Sequence, residues 1–156
     1  MNDLKSLPPD ALRRMSGLAI MQALQAGQLP GAPIAGLIGF RLDEVGPGRI
    51  VFAGEPGPQH YNPLGSVHGG YAATLLDSCM GCAVHTTLAA GTSYTTLELK
   101  VSYIRAMTSE TGTVWAEGRV LNAGRRVAFA DGRLTDGAGR LIAHATTTCL
   151  VIAPAA

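Results

Sequence analysis

One helix-length apolar run in the middle of the chain, roughly Val67 to Ala89, constrains the fold more than any other feature. Tyr71, Ala72, Leu75, Leu76, Cys79, Met80, Ala83, Val84 and Leu88 leave little of its circumference polar, so as a helix it needs burial on several sides. Strand-like segments flank it. Leu37–Val45 and Arg49–Glu55 meet at the turn Gly46-Pro47-Gly48, and Pro56–Gly65 reads as loop. After the helix come Ser93–Ala106, Thr111–Leu121, Arg125–Thr135 and Arg140–Ile152. The short connections at Ser109-Glu110, Asn122-Ala123-Gly124 and Asp136-Gly137-Ala138-Gly139 predict that these four strands form an antiparallel meander. In the first of them, Leu97, Leu99, Val101 and Tyr103 alternate with Glu98, Lys100 and Ser102, which predicts one apolar and one polar face. The expected architecture is α+β: an antiparallel sheet curled around one long central helix.

Ahead of this unit, residues 10–28 have the pattern of an amphipathic helix, with Asp10 placed to cap it and Gly27 to stop it. A Pro/Gly-rich linker, 30–36, follows. The organisation expected is an N-terminal helical extension over residues 1–34 and a main domain over 35–156.

At 156 residues and 47% hydrophobic content, the chain suffices for one domain with a real core. Charged residues make up only 15%, which points to further surface buried between subunits. A net charge of +1 gives no reason to expect nucleic acid or a membrane surface as a partner. No apolar run reaches the ~18 residues of a membrane span, and Met1 to Pro9 lack a signal-peptide pattern. A soluble, cytoplasmic protein is expected. Cys79, Cys82 and Cys149 are an odd number without a disulfide framework. Cys79-Met80-Gly81-Cys82 has C-x-x-C spacing, but both cysteines fall mid-helix, away from the helix start that stabilises a thiolate, so they read as small core residues. His60, His85 and His144 lack metal-ligand spacing, and no metal is expected.

The chemistry-bearing stretch is Asn62-Pro63-Leu64-Gly65-Ser66-Val67-His68-Gly69-Gly70, followed by Asp77 in the apolar helix. Backbone N–H groups at a helix start are unpaired and carry partial positive charge. A glycine pair there lets a ligand approach closely, so Gly69 and Gly70 are candidate donors to a developing oxyanion. Asp77 stands out as a candidate general base or nucleophile, with a buried structural acid as the alternative. Ser78 points about 100° away around the helix, and no Ser-His-Asp arrangement is suggested. Arg105, Arg125 and Arg126 are candidate phosphate contacts or solvated strand-end charges. Gly69 and Asp77, eight residues apart, lie about 12 Å apart along an unbroken helix axis. Reacting groups converge within roughly 3 Å. One chain is thus ill-suited to present both to one substrate, whereas a two-fold dimer pairs Asp77 of one subunit with Gly69 of the other.

The stretch from Asn62 to Asp77 is similar to the signature of the hotdog-fold acyl-CoA thioesterases, in the PaaI-like branch of the 4-hydroxybenzoyl-CoA thioesterase superfamily. Thr95-Thr96-Leu97-Glu98-Leu99-Lys100-Val101-Ser102-Tyr103-Ile104-Arg105, Gly124-Arg125-Arg126 and Gly139-Arg140-Leu141-Ile142-Ala143-His144-Ala145-Thr146 extend the resemblance over roughly residues 35–152. It implies a hotdog fold, a homodimer formed edge to edge, often paired into a homotetramer, and hydrolysis of an acyl-CoA to free acid and coenzyme A. No cofactor is implied, coenzyme A being part of the substrate. By the same resemblance Asp77 is the catalytic carboxylate, Gly69 the donor that polarises the thioester carbonyl, Asn62 a positioner of water or substrate, and His68 a supporting neighbour. An aromatic or aryl-acetyl group, or a short-to-medium chain, is the implied acyl class. A non-catalytic acyl-CoA-binding module and a hotdog dehydratase are the other readings; the retained acid at Asp77 speaks against the first, and the local motif against the second.

Overall fold

The computed structural model describes residues 9–154. It contains helices α1 (Pro9–Arg13), α2 (Gly17–Gln25), α3 (Pro33–Ile38) and α4 (Gly69–His85). The strands are β1 (Phe40–Gly46), β2 (Arg49–Gly54), β3 (Ser93–Tyr103), β4 (Val114–Ala123), β5 (Val127–Asp136) and β6 (Leu141–Ile152). They form one six-stranded sheet in the order β1-β2-β4-β5-β6-β3, antiparallel at every pairing. The sheet wraps α4, as the apolar run requires.

The inner face of the sheet is shaped for that helix. Gly118 of β4 lies opposite Gly132 of β5, which lies opposite Ala145 of β6. This row of minimal side chains makes a trough. A β-carbon on Gly118 would sit 2.4 Å from the Cys79 carbonyl oxygen, and one on Gly132 would sit 3.0 Å from the Met80 side chain. Leu75, Leu76, Met80 and Val84 fill the space around the trough and are fully buried, together with Ile50, Val114 and Leu134. Each such side chain contributes about 1.5–3 kcal/mol relative to exposure.

The topology corrects the expected four-strand meander. Of those four strands only β4, β5 and β6 are consecutive neighbours; β3 pairs with β6 at the far edge, and β4 pairs with β2. The link from β3 to β4 spans residues 104–113, and its 3-10 turn Ser109–Thr111 lies within a crossover rather than a hairpin. The alternation expected in β3 also breaks. Its register against β6 shifts between Thr96 and Glu98, leaving Leu97 as a bulge that is 59% exposed. One extra residue reverses the phase of a strand. Tyr94 and Thr96 before the bulge are half-buried, as are Leu99 and Val101 after it, while Tyr103 is exposed.

The N-terminal segment differs as well. The helix expected over 10–28 is two helices, and Asp10 lies inside α1 rather than capping it. Ser16 breaks the run and caps α2, its Oγ accepting from the Ala19 N–H. Gly17 then packs so closely on α4 that a β-carbon would fall 1.8 Å from the His85 carbonyl oxygen. Gly27 ends α2 as expected, with φ of 70°. Its N–H bonds the Leu24 carbonyl and that of Gln28 bonds Ala23, the Schellman pattern. The linker expected over 30–36 instead carries most of α3, which spans the expected division at residues 34 and 35. No helix is long and apolar enough to cross a membrane, among the described residues.

Candidate active site

The loop ahead of α4 is built by Asn62. Its Oδ1 accepts from the Leu64 N–H at 2.8 Å and the Ser66 N–H at 3.4 Å, and its Nδ2 donates to Ser66 Oγ at 3.2 Å. The Asn62 N–H bonds the Ser66 carbonyl, closing a tight turn, and one amide hydrogen of the side chain stays uncommitted among the described residues. Two further bonds fix where the turn delivers the helix: Val67 N–H to the Met107 carbonyl at 2.9 Å, and His68 N–H to the His60 carbonyl at 2.7 Å.

His68 is the N-cap of α4. Its Nδ1 accepts the Gly70 N–H at 2.8 Å. The neutral ring therefore carries its proton on Nε2, so the exposed imidazole offers a ligand a donor rather than a base. This bond also separates the two glycines. The Gly70 N–H is occupied, whereas the Gly69 N–H, at the positive end of a 17-residue helix, has no partner among the described residues. Gly69 opens into a cavity of about 360 Å³ lined also by Ala72, Tyr103, Ile104, Arg105 and Met107.

Asp77 lies two turns further along α4 and is half-buried. Thr96 of β3 donates its hydroxyl to Asp77 Oδ1 at 2.9 Å. The bulge at Leu97 makes this contact, because it turns Thr96 toward the helix while Leu99 and Val101 still pack inward. Asp77 lines a second cavity, about 680 Å³, with Ser78, Cys82, Tyr94 and Thr96 on its side. Burial pushes the Cys82 thiol up to about 11 and the Tyr94 phenol well above its ordinary range, so both stay protonated. Burial likewise holds the Cys79 thiol far above its ordinary value, which fits a core C-x-x-C rather than a redox pair.

The two cavities share no lining residue. Helix α4 is unbroken from Gly69 to Asp77, so a single protomer presents its unpartnered N–H and its carboxylate to different spaces. Of the three arginines, Arg105 lines the Gly69 cavity, while Arg125 and Arg126 sit exposed in the β4–β5 turn. Thr96, whose contact depends on the bulge, has no clear counterpart in the sequence; a pocket end lined partly by the N-terminal helix is expected, and α2 and α3 do line the Asp77 cavity.

The family profile described as the thioesterase superfamily matches residues 64–143. No curated protein matches the chain significantly in sequence. Among solved structures, a phenylacetic acid degradation-related protein from Ralstonia eutropha is 30% identical, with a TM-score of 0.76 over 83% of this chain and 98% of its own. An asparagine-to-aspartate mutant of the phenylacetic acid degradation protein PaaI from Thermus thermophilus is 28% identical, with a TM-score of 0.69 over 76% and 98%. The smu.793 protein of Streptococcus mutans, solved bound to acetyl CoA, is 26% identical, with a TM-score of 0.67 over 75% and 91%. The chain belongs to the thioesterase superfamily: it is a thioester hydrolase with the hotdog fold and PaaI-like relatives.

Proposed function

We propose that the chain hydrolyses acyl-CoA thioesters carrying an aromatic, aryl-acetyl or short-to-medium acyl group, at sites shared across a two-fold dimer and without a metal. The observation that carries this reading is the separation of the two candidate catalytic groups into different cavities along one exposed edge strand. Asp77 abuts β3 at Thr96, and Gly69 lies by β3 at Tyr103. Antiparallel pairing of β3 with a second β3 about Lys100, with the bulged Leu97 skipped, sets residue 96 of one chain against residue 103 of the other. Asp77 of one protomer then meets Gly69 and His68 of its partner. A long edge strand with Leu97 and Tyr103 exposed also calls for such cover.

In this reading the Gly69 N–H and the helix end hold the thioester carbonyl oxygen as negative charge develops there. Asp77 either takes a proton from the attacking water or attacks the carbonyl carbon itself, giving an anhydride that water then opens. The C–S bond breaks, coenzyme A leaves as a thiolate, and the free acid remains. Thr96 orients Asp77 through Oδ1, leaving the other oxygen for the reaction. His68 donates from Nε2, and the remaining amide hydrogen of Asn62 is available to water or substrate. Arg105, at the Gly69 cavity, takes a phosphate of the coenzyme, with Arg125 and Arg126 as further phosphate contacts.

The test is hydrolysis of a panel of acyl-CoAs by the wild type, Asp77→Ala and Gly69→Pro. Proline suits the first helical position and removes the N–H, at the cost of a ring whose β-carbon falls 3.0 Å from the Tyr103 side chain. Asp77→Ala is expected to lose about 10²–10⁴-fold in kcat, and Gly69→Pro about 10²–10³-fold. Mixing the two inactive variants under subunit exchange is expected to restore about a quarter of wild-type activity, because half the dimers are mixed and each has one intact site. No recovery on mixing overturns the shared site. Saturable acyl-CoA binding with no turnover on any substrate overturns hydrolysis in favour of a binding module.

A further inference from the structure

The sheet wraps α4 incompletely. Thr74, Asp77, Ser78, Cys82 and His85 form a half-buried stripe at three- and four-residue spacing, between the two sheet edges β1 and β3. Helices α2 and α3 cover this gap without filling it. What remains is the cavity of about 680 Å³, inside the ~300–1,000 Å³ range of small-molecule sites. Its wall opposite Asp77 and Thr96 comes from Leu24 on α2, Ala35 on α3, and Phe40, Leu42 and Phe52 on the first two strands. Both helices lie outside residues 64–143, the part of the chain that matches the family.

We infer that the α2–α3 segment closes the acyl half of the site and sets which acyl groups fit, with Leu24 and Ala35 as specificity-determining residues for an uncharged, apolar acyl group of limited length. This rests on the reading in which Asp77 acts on the thioester. The carbonyl must lie beside Asp77, and the acyl chain begins at that carbonyl carbon, so it runs into the space Asp77 faces. That space suits an apolar chain: apart from Asp77, Arg41 is the only charged residue in its lining, and Arg41 is exposed. The Phe40 and Phe52 rings, edge to face at 5.3 Å, give the far wall a fixed aromatic surface. The coenzyme half has its cationic contact at Arg105, in the other cavity.

The segment is also open to alteration. α3 has no fully buried residue, and Ala35, half-buried at the edge of the core, lines the cavity, so a larger side chain there projects into it. The experiment compares kcat/KM for acetyl-, butanoyl-, hexanoyl-, octanoyl-, decanoyl- and phenylacetyl-CoA in the wild type, Leu24→Trp, Ala35→Phe and Leu24→Ala. The two enlargements are expected to lower kcat/KM for the longest accepted acyl group, relative to acetyl-CoA, by about tenfold or more. Leu24→Ala is expected to move the preferred length upward by two carbons or more. Ala35→Phe keeps the test decisive should Leu24→Trp not fold. The same variants titrated with S-alkyl-CoA thioethers read acyl placement without turnover, so a wild type inactive on every substrate still tests the cavity while refuting hydrolysis. Length profiles and thioether affinities that match the wild type within about twofold in every folded variant overturn the inference.

Discussion

The central helix is held in opposite ways on its two sides. Toward the sheet it lies backbone-close on the Gly118 and Gly132 trough, with Leu75, Leu76, Met80 and Val84 fully buried. Toward the N-terminal segment it presents Asp77, Ser78 and Cys82 to a cavity, under a short helix with no buried residue. The same seventeen residues thus combine a tightly packed face with an open one. The buried core lies on the sheet side, and the candidate residue Asp77 lies where packing is incomplete, which is where a ligand can take the place of missing neighbours.

The largest effect expected from this contrast is in the trough-side core. Leu76→Ala should cost about 2–5 kcal/mol, since Leu76 is fully buried and the rigid strands around it cannot close on the space left behind. Thermal or urea unfolding measures it, and a loss under about 1 kcal/mol would mean that the core is looser than its burial implies. Next comes Gly118→Ala, which forces a methyl group against the Cys79 carbonyl and should cost about 3 kcal/mol, the upper end of ordinary overpacking. For a chain of this size that lowers the midpoint of thermal unfolding by roughly 6–12 °C. An unchanged midpoint would show that the helix can lift off the sheet freely.

A smaller, pH-dependent effect belongs to the junction of the two sides. His85 closes α4, lies against Gly17 of α2 and tilts over the Tyr94 ring at 5.6 Å. Burial lowers its pKa below the ordinary 6.5. The unfolded chain therefore takes up this proton at a higher pH than the folded one. Above about pH 6.5 both states are neutral and the contribution is fully present; it is lost as pH falls through the folded-state value. Unfolding midpoints measured from pH 8 to 5 should fall more steeply in the wild type than in His85→Gln. Parallel curves would remove His85 as the origin of acid sensitivity at the α2 contact.

What could be read in the sequence divides along the same line. The long helix, the strand set and the candidate residues Gly69 and Asp77 follow from local pattern: apolar periodicity, turn residues, a glycine pair and one acid in an apolar run. On the trough side the apolar helix and the hairpins joining β4, β5 and β6 are locally encoded, whereas the facing glycines Gly118 and Gly132 are not marked by any local pattern. The cavity side depends on contacts distant in sequence. Thr96 reaches Asp77 only because Leu97 is a bulge, and a bulge leaves no mark in an alternating string. The place of β3 at the sheet edge depends on a crossover whose direction is not written in residues 104–113. Helix α3 did carry a local signal, Pro33 at its first position and Gly39 with φ of 78° at its cap, but a Pro/Gly-rich stretch reads first as linker. The occupation of the Gly70 N–H by His68 needed atomic geometry, since a histidine is an unusual N-cap.

The smallest effect belongs to the cover itself. Leu37 on α3 is 81% exposed and Ile34 is 48% exposed, so neither contributes a core contact in the isolated protomer. Leu37→Ser should change stability by no more than about 0.5 kcal/mol, as for an ordinary surface position. Set beside Leu76→Ala, it puts the two sides of one helix at the two ends of the scale. The measurement is the unfolding midpoint over a hundredfold range of protein concentration. A loss above about 1 kcal/mol that grows with dilution would break the comparison in an informative way. It would mean that the outer face of α3 is buried against another copy of the chain, and that the open side of the helix is completed by assembly as the trough side is completed by the sheet.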